Sequence, residues 1–204
     1  AKIQSQYPIR EMIKRGWLKD TDAQLLEVQM ARFFEQEDIE DVPYLAHAAK
    51  KTLSTYEEKE VPPPQLAWLF RVKQLAKAVA VPKYSSQKLK AALLDLSKLL
   101  TTSEDARHVP RILMECGVRF VLVEPLPQSK IDGACFWLDK DSPVIGMSFR
   151  FDRIDHFWFV LRHEIEHVLR KHGMDKEIID AELESSQGDL PEEEKIANKE
   201  AAAF

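Results

Sequence analysis

The segment from His163 to His167 has the pattern H-E-x-x-H, with Glu164 directly after the first histidine. If this segment is helical, the two histidines lie one turn apart on the same face, with about 5–6 Å between their Cβ atoms. Two imidazoles at this separation can bind one Zn²⁺ at roughly 2.0–2.1 Å. Glu164 would project beside them, where a carboxylate can take a proton from an attacking water. The pattern therefore predicts a zinc site with a general base, which is the chemistry of metal-dependent peptide hydrolysis.

A catalytic zinc ion usually has three protein ligands and keeps one position open, so a third ligand is needed. The longer pattern H-E-x-x-H-x-x-G-x-x-H requires Gly at position 170 and His at position 173, whereas the chain has Arg170 and Gly173. The third ligand is therefore expected on a separate helix, most simply as a carboxylate. Residues 175–200 contain ten acidic residues against three lysines, so this segment is the place to look.

Glu194 is the preferred third ligand within this acidic segment. Asp189 and Glu192 predict a capping pair at the start of a last helix. One face of that helix carries Glu194, Ala197, Asn198 and Ala201, at i, i+3, i+4 and i+7. The small alanine side chains would let this face lie close to the helix with the two histidines. Glu192 and Glu193 are instead expected to be favourable acids of the first helical turn.

Residues 1 to about 117 predict a helical region, because apolar residues recur three and four positions apart between turn signals. Asp22 is expected to cap the first clear helix. The broad apolar face of that helix consists of Leu25, Leu26, Val28, Met30, Phe33 and Phe34. Later helices are expected over 66–81, after the prolines 62–64, then over 86–100, and from Ser103 to a terminating Gly117.

Residues 118–204 predict strands first and helices afterwards. The strands are expected over 118–123, 134–138 and 144–149. The five-residue turn at 139–143 should make the last two strands an antiparallel hairpin. Asp152 or Asp155 is expected to cap a long helix that carries the H-E-x-x-H pattern and runs to His172, before a polar segment and the last helix. The chain therefore predicts an α+β fold, a small sheet and a metal-binding helix preceded by a helical region.

Two stretches of the chain resemble the ImmA/IrrE family of zinc metallopeptidases. Residues 147–169 are similar to the core of that family around H-E-x-x-H, and residues 194–198 (Glu-Lys-Ile-Ala-Asn) match its later E-x-x-A-[ND] helix. Residues 8–18 also resemble the segment after the helix-turn-helix in members fused to an Xre-type DNA-binding domain. The resemblance covers most of the chain and is strongest over 144–204.

The resemblance implies a zincin-like metallopeptidase domain over 118–204. In that domain His163, His167 and Glu194 would be the zinc ligands and Glu164 the general base. The resemblance further implies a regulatory endopeptidase that acts on a repressor or another transcription regulator, not a digestive enzyme. The alternative hypothesis is a non-proteolytic transcription regulator or antitoxin-like protein, in which the metal-binding domain senses or scaffolds and cleaves nothing.

The sequence gives weaker evidence of a functional role for other polar residues of the C-terminal half. Glu166 and Glu200 depart from the family pattern, in which a small residue and Phe, respectively, are usual. His172 is expected to be a solvated helix end, and His156 a residue near the start of the same helix. The C-terminal half contains no tyrosine, so stabilisation of an oxyanion is left to Arg162, to His156 or to the N-terminal half.

The composition limits the partners and the compartment. A formal net charge of −5 and no helix that concentrates Lys and Arg on one face argue against specific nucleic-acid binding by these residues. The densest apolar run, 157–161, is far shorter than the roughly 20 residues that span a bilayer. Cys116 and Cys135 are expected in the core of a protein of the reducing cytoplasm. A start without Met, and an end at Phe204 within a predicted helix, predict a fragment that is truncated at its C-terminus.

Overall fold

A five-stranded mixed sheet organises the fold in the computed structural model, which describes residues 7–37, 48–50, 61–150, 153–183 and 190–204. Its strands are β1 (Ala48–Lys50), β2 (Arg119–Leu122), β3 (Ile131–Trp137), β4 (Pro143–Met147) and β5 (Ile178–Ala181), in the spatial order β1-β5-β3-β4-β2. β3 pairs antiparallel with both β4 and β5, whereas β2 pairs parallel with β4 and β1 parallel with β5. Together with the helices below, this sheet confirms the α+β prediction.

The antiparallel hairpin predicted around residues 139–143 is confirmed as β3 and β4. Its turn is closed by the Leu138 amide, which donates to the Ser142 carbonyl at 3.0 Å. Two strands were not predicted from the sequence. β5 lies in the segment interpreted as polar, and β1 lies in the region interpreted as wholly helical. Both are four residues or shorter, which is too short for an alternating pattern to stand out.

Helices α1 (Ile9–Lys14), α2 (Ala23–Phe33) and α3 (Pro63–Ala78) share one hydrophobic core with one face of the sheet. Trp68 is fully buried in this core, and its indole N–H donates to the Val123 carbonyl at 2.9 Å. Phe136 and Val144 contribute to the core from the two central strands. The helical first part of the chain therefore packs directly on the sheet.

The capping prediction for α2 is confirmed, because Asp22 Oδ1 accepts a hydrogen bond from the Leu25 amide at 3.0 Å. The broad buried face is confirmed only in part. Met30, Phe33 and Phe34 are buried, whereas Leu25 is 54% and Val28 44% exposed. The prolines 62–64 lie at the start of α3. Proline is tolerated in the first turn of a helix, because the N–H that it lacks would make no helical hydrogen bond there.

The opposite face of the sheet is covered by α4 (Ser86–Lys98), two 3₁₀ turns (Leu99–Thr101 and Ser103–His108), α5 (Val109–Glu115) and α6 (Ile154–Leu169). Cys135 and Ile145 belong to this second core, whereas their chain neighbours Phe136 and Val144 belong to the first. Successive strand residues point to opposite faces, so the sheet lies between two helical layers. Cys116 and Cys135 are both buried as free thiols.

Helix α6 differs at both ends from its prediction. It begins after Arg153 with no side-chain cap, and Asp155 lies within its first turn, whereas Asp152 falls outside the described residues. It ends at Leu169, so His172 lies beyond it in a turn.

The last helix, α7 (Glu192–Ala202), packs against α6. The proposed cap Asp189 is another residue that the structure does not describe. Across the described ranges, no helix has the length and apolarity that a membrane crossing requires.

Candidate metal centre

Helix α6 places His163 and His167 one turn apart on a buried face, as their spacing predicts. Apolar residues of the same helix, among them Val160, Leu161, Ile165 and Val168, belong to the second core and fix the helix against β3 and β4. Both histidines are 0% exposed, and their Nε2 atoms are 3.0 Å apart. The two imidazoles therefore face one common point inside the protein.

Helix α7 brings Glu194 to the same point. Its carboxylate lies 3.2 Å from Nε2 of His163 and 3.4 Å from Nε2 of His167. Ala197 and Ala201 are buried on the same helical face, which lets α7 approach α6 closely. The neighbouring acids Glu192 and Glu193 are exposed in the first turn, as the helical register predicts.

Strand β5 contributes a fourth side chain, Asp180, which sequence analysis counted among the acidic residues but did not place at the site. Its Oδ2 atom lies 3.4 Å from Nε2 of His163 and 3.8 Å from Nε2 of His167. Asp180 is 1% exposed, and Oδ2 has no hydrogen-bond partner within the described part of the chain. The signal that could have found it is the apolar pair Ile178 and Ile179 inside an otherwise acidic segment, which marks a buried strand.

His163, His167, Asp180 and Glu194 each offer one ligand atom, and these atoms all lie within 4.8 Å of one another. The group is fully buried and could hold a metal ion. Two imidazole nitrogens and two carboxylates are donors that divalent transition metals accept.

The ionisation of this group is set by burial and by mutual attraction. Burial alone lowers the pKa of His163, but the nearby carboxylates of Asp180 and Glu194 outweigh it and hold that pKa well above its usual value. Burial alone raises the pKa of Glu194, but hydrogen bonds from the two histidines outweigh it and hold that pKa well below its usual range. Without an ion, imidazolium and carboxylate charges therefore compensate each other at this site.

Glu164 lies beside the cluster, on the side of β3. It is 0% exposed, and neither carboxylate oxygen has a hydrogen-bond partner among the described residues. Burial, and then the charge of Asp180, raise the pKa of Glu164 well above its usual value. Gly133 of β3 makes room for it, because a Cβ atom there would overlap the Glu164 carboxylate. A raised pKa makes the ionised carboxylate a stronger proton acceptor than an exposed glutamate, which suits a general base.

The outer nitrogens of both histidines also have partners. Nδ1 of His163 is 3.0 Å from Oδ1 of Asn198, and Nδ1 of His167 is 2.9 Å from Nδ1 of His172. Such contacts fix the ring orientation and the tautomer of a metal-binding histidine. The prediction that His172 is a solvated helix end is therefore wrong.

The turn after α6 explains the position of His172. Gly173 adopts φ +79°, which favours glycine, and a Cβ atom there would overlap the carbonyl of Cys135. The His172 carbonyl accepts a hydrogen bond from the Trp137 indole at 2.9 Å. The turn thus folds back onto β3 and carries the His172 ring to the site.

A buried arginine connects α6 and α7. Arg162 donates to Glu166 at 2.8 Å and to Glu200 at 3.1 Å, and Arg170 donates to the second oxygen of Glu166 at 2.6 Å. Glu166 and Glu200, the two residues that depart from the ImmA/IrrE sequence pattern, are thus both partners of Arg162. Arg162, a candidate for oxyanion stabilisation, is engaged in these ion pairs. The other candidate, His156, is buried in the first turn of α6, with Nε2 3.3 Å from the Asp132 carboxylate.

Comparisons of the chain with protein-family models, curated proteins and solved structures gave no significant match, so its function is inferred from the site geometry and the sequence motifs.

Proposed function

We propose that the protein is a zinc-dependent regulatory endopeptidase with a zincin-like catalytic domain. The observation that carries the proposal is the convergence of His163, His167 and Glu194 from two helices, with the Glu164 carboxyl group fully buried beside them. Two imidazoles, one carboxylate and an adjacent general base are the parts that zinc peptidases use. The resemblance of residues 147–169 and 194–198 to the ImmA/IrrE family supports the same assignment.

The spacing of the ligand atoms fits zinc. Four nitrogen or oxygen ligands at 2.0–2.1 Å from a tetrahedral ion are about 3.3–3.4 Å apart from one another. The five separations that involve a histidine Nε2 atom run from 3.0 to 3.8 Å and bracket that value, with one Glu194 oxygen near each histidine. The four ligand atoms together lie within 4.8 Å of one another. The site therefore needs little rearrangement to take an ion of this size.

Each residue of the site has a defined task in peptide hydrolysis. A zinc ion supplies Lewis-acid chemistry, which polarises a peptide carbonyl and makes water more acidic. Glu164 accepts the proton of the attacking water and returns it to the leaving amine nitrogen. Asn198 and His172 hold the two histidine rings in the orientation that directs Nε2 into the site. Gly133 preserves the space that Glu164 occupies.

A restricted substrate range is part of the proposal. All four metal-binding candidates and Glu164 are at most 3% exposed, so an extended peptide cannot reach them without rearrangement of the protein. A digestive enzyme needs an open groove, whereas a regulatory protease gains from restricted access. The family resemblance suggests a repressor or another transcription regulator as the substrate.

The test compares Glu164→Gln with His163→Ala. Wild type and Glu164→Gln should each bind about one Zn²⁺ per chain by elemental analysis, whereas His163→Ala should bind none. New protein N-termini, identified by mass spectrometry after incubation with a cell extract, should appear only with the wild type. Loss of zinc in Glu164→Gln would contradict the role of a general base, and absence of zinc from the refolded, zinc-supplied wild type would refute the proposal.

A non-proteolytic regulator with a sensing or scaffolding metal site is the second candidate. The observation that favours it is Asp180, because structural zinc sites have four protein ligands and catalytic sites have three. In that case wild type and Glu164→Gln would bind zinc equally and would yield the same set of N-termini.

A further inference from the structure

The metal-binding cluster contains one carboxylate more than a catalytic zinc site requires. We propose that Asp180 is a fourth metal ligand that closes the site of the resting protein and withdraws when a substrate protein binds. The inference rests on the proposed function, because it concerns the same metal. It assigns a regulatory role to a residue of β5, which lies outside the H-E-x-x-H motif.

The distances place Asp180 among the ligands. Its Oδ2 atom is 3.4 Å from Nε2 of His163, the same distance that separates Glu194 from Nε2 of His167. Its separation from Nε2 of His167 is 3.8 Å, which is 0.4 Å longer than the 3.4 Å between Glu194 and the same nitrogen. A metal ion that touches both histidines and Glu194 therefore meets the Asp180 carboxylate as well.

The burial of Asp180 points to an ion as its partner. A buried carboxylate without compensation is costly, and proteins normally satisfy it with hydrogen bonds or a cation. Asp132 of β3, an equally buried acid, follows this rule, because its Oδ2 accepts a hydrogen bond from the Leu183 amide at 2.8 Å. Oδ2 of Asp180 has no backbone donor of this kind among the described residues. Its neighbours are Nε2 of His163 at 3.4 Å, Nε2 of His167 at 3.8 Å and the carboxyl group of Glu164, which are all groups of the candidate site itself.

The sheet holds Asp180 in this position. β5 pairs with β3 on one side and with β1 on the other, and Asp180 is in register with Gly133. Because the backbone is held on both sides, only the Asp180 side chain can leave the site while β5 stays in the sheet. Four protein ligands fill a tetrahedral shell, so water and a substrate carbonyl are excluded until that side chain withdraws.

The experiment uses Co²⁺ as a spectroscopic substitute for zinc and azide as a small anion that binds only where a coordination position is open. Visible absorption spectra of the cobalt-loaded full chain are recorded with and without azide for wild type, Asp180→Ala and Asp180→Asn. The matched control is Glu182→Gln, the next acid along the chain, which is partly exposed and paired with Lys130 at 3.0 Å.

We expect azide to leave the spectra of wild type and Glu182→Gln unchanged and to shift the spectrum of Asp180→Ala. The Kd for Co²⁺ should rise in Asp180→Ala by at least the roughly 10- to 100-fold that loss of an outer-shell partner costs. A shift in the wild-type spectrum would overturn the proposal, and so would an Asp180→Ala spectrum that azide leaves unchanged.

The outcomes also separate this proposal from the proposed function. If wild type binds one Co²⁺ per chain and azide shifts its spectrum, the metal site stands and Asp180 is not a closing ligand. If wild type binds no Co²⁺, both fall together. The wild-type measurement is decisive even if Asp180→Ala fails to fold, and Asp180→Asn, which keeps the shape of the side chain, provides the second variant.

Discussion

Glu164 owes its position to the absence of a side chain at Gly133, a single-residue contact between α6 and β3. Both partners are buried, so neither can relax into solvent. The chemistry assigned to Glu164 therefore depends on a residue that bears no functional group.

Gly133→Ala should displace the Glu164 carboxylate. We expect a loss of stability of about 1–3 kcal/mol, as for other overpacked cores, together with loss of peptidase activity and retention of zinc. Urea denaturation and elemental analysis provide the measurements. In a Glu164→Ala background the overlap disappears, so the same substitution should cost less. Equal costs in the two backgrounds would show that the two residues do not interact.

Asn198→Ala should weaken zinc binding without removing a ligand. The amide oxygen holds Nδ1 of His163 at 3.0 Å, and loss of such a partner typically costs about 10- to 100-fold in metal affinity. Competition against a chromophoric chelator measures the change. Asn198→Asp keeps an acceptor oxygen at the same place and should retain most of the affinity, so a larger loss in Asn198→Asp would count against this role.

At the scale of elements, α6 and α7 must stay together, because one carries both histidines and the other carries Glu194. Close packing at Ala197 and Ala201 provides part of this contact. The ion pair of Arg162 with Glu200 adds a link between the two helices, and the pair of Arg162 with Glu166 holds the arginine in place within α6. The two glutamates differ in setting, because the side chain of Glu166 is 8% exposed and that of Glu200 is 44% exposed.

Arg162→Met should therefore be far more damaging than Glu200→Gln. Removing the arginine leaves Glu166 buried with one partner fewer, and breaking a buried pair in this way costs about 3–5 kcal/mol. The pair with Glu200 is partly solvated, and its loss should cost less than about 1 kcal/mol. Urea denaturation of the zinc-free proteins measures both values. Similar losses in the two variants would contradict the larger contribution assigned to the buried Arg162–Glu166 pair.

At the scale of the whole molecule, the site joins three successive elements of the chain, namely α6, β5 and α7. A ligand that binds only the folded state stabilises it in proportion to the logarithm of its concentration over Kd. The metal should therefore contribute to the stability of the fold as well as to its chemistry.

Removal of zinc with a chelator should lower Tm by about 10 °C. Zinc at a thousand times its Kd adds about 4.1 kcal/mol, and a chain of this length shifts by roughly 2–4 °C per kcal/mol. Differential scanning calorimetry with and without zinc measures the shift. The His163→Ala variant should not respond to zinc, and a wild type without any response would argue against the site.

DNA binding by this chain should be weak and nonspecific. The formal net charge is −5, and residues 175–200 concentrate acidic groups, so phosphate contacts are few. Fluorescence anisotropy with promoter DNA at physiological salt should give a Kd no tighter than the nonspecific range of about 10⁻⁴–10⁻⁶ M. Tight sequence-specific binding would favour the non-proteolytic regulator over the peptidase.

Local sequence patterns were sufficient to predict the parts of this site that lie within one element. The i, i+4 spacing of His163 and His167 and the i, i+3, i+7 spacing that turns Glu194 inward both follow from 3.6 residues per helical turn. The β3–β4 hairpin follows from two apolar runs and a short turn. Such features depend on neighbours in sequence, which is why they could be predicted.

Tertiary structure alone decided the contacts that join separate elements. Asp180 reaches the site because the short strand β5 pairs with β3. The apolar pair Ile178 and Ile179 marks a short strand at most and does not indicate which strand it pairs with. His172 arrives there because α6 ends at Leu169 and the turn folds back on Gly173. Arg162 of α6 donates to Glu200 of α7, 38 positions further along the chain. These contacts depend on which faces of the helices and strands pack against one another. That packing is determined by how the whole chain buries its apolar residues in the core.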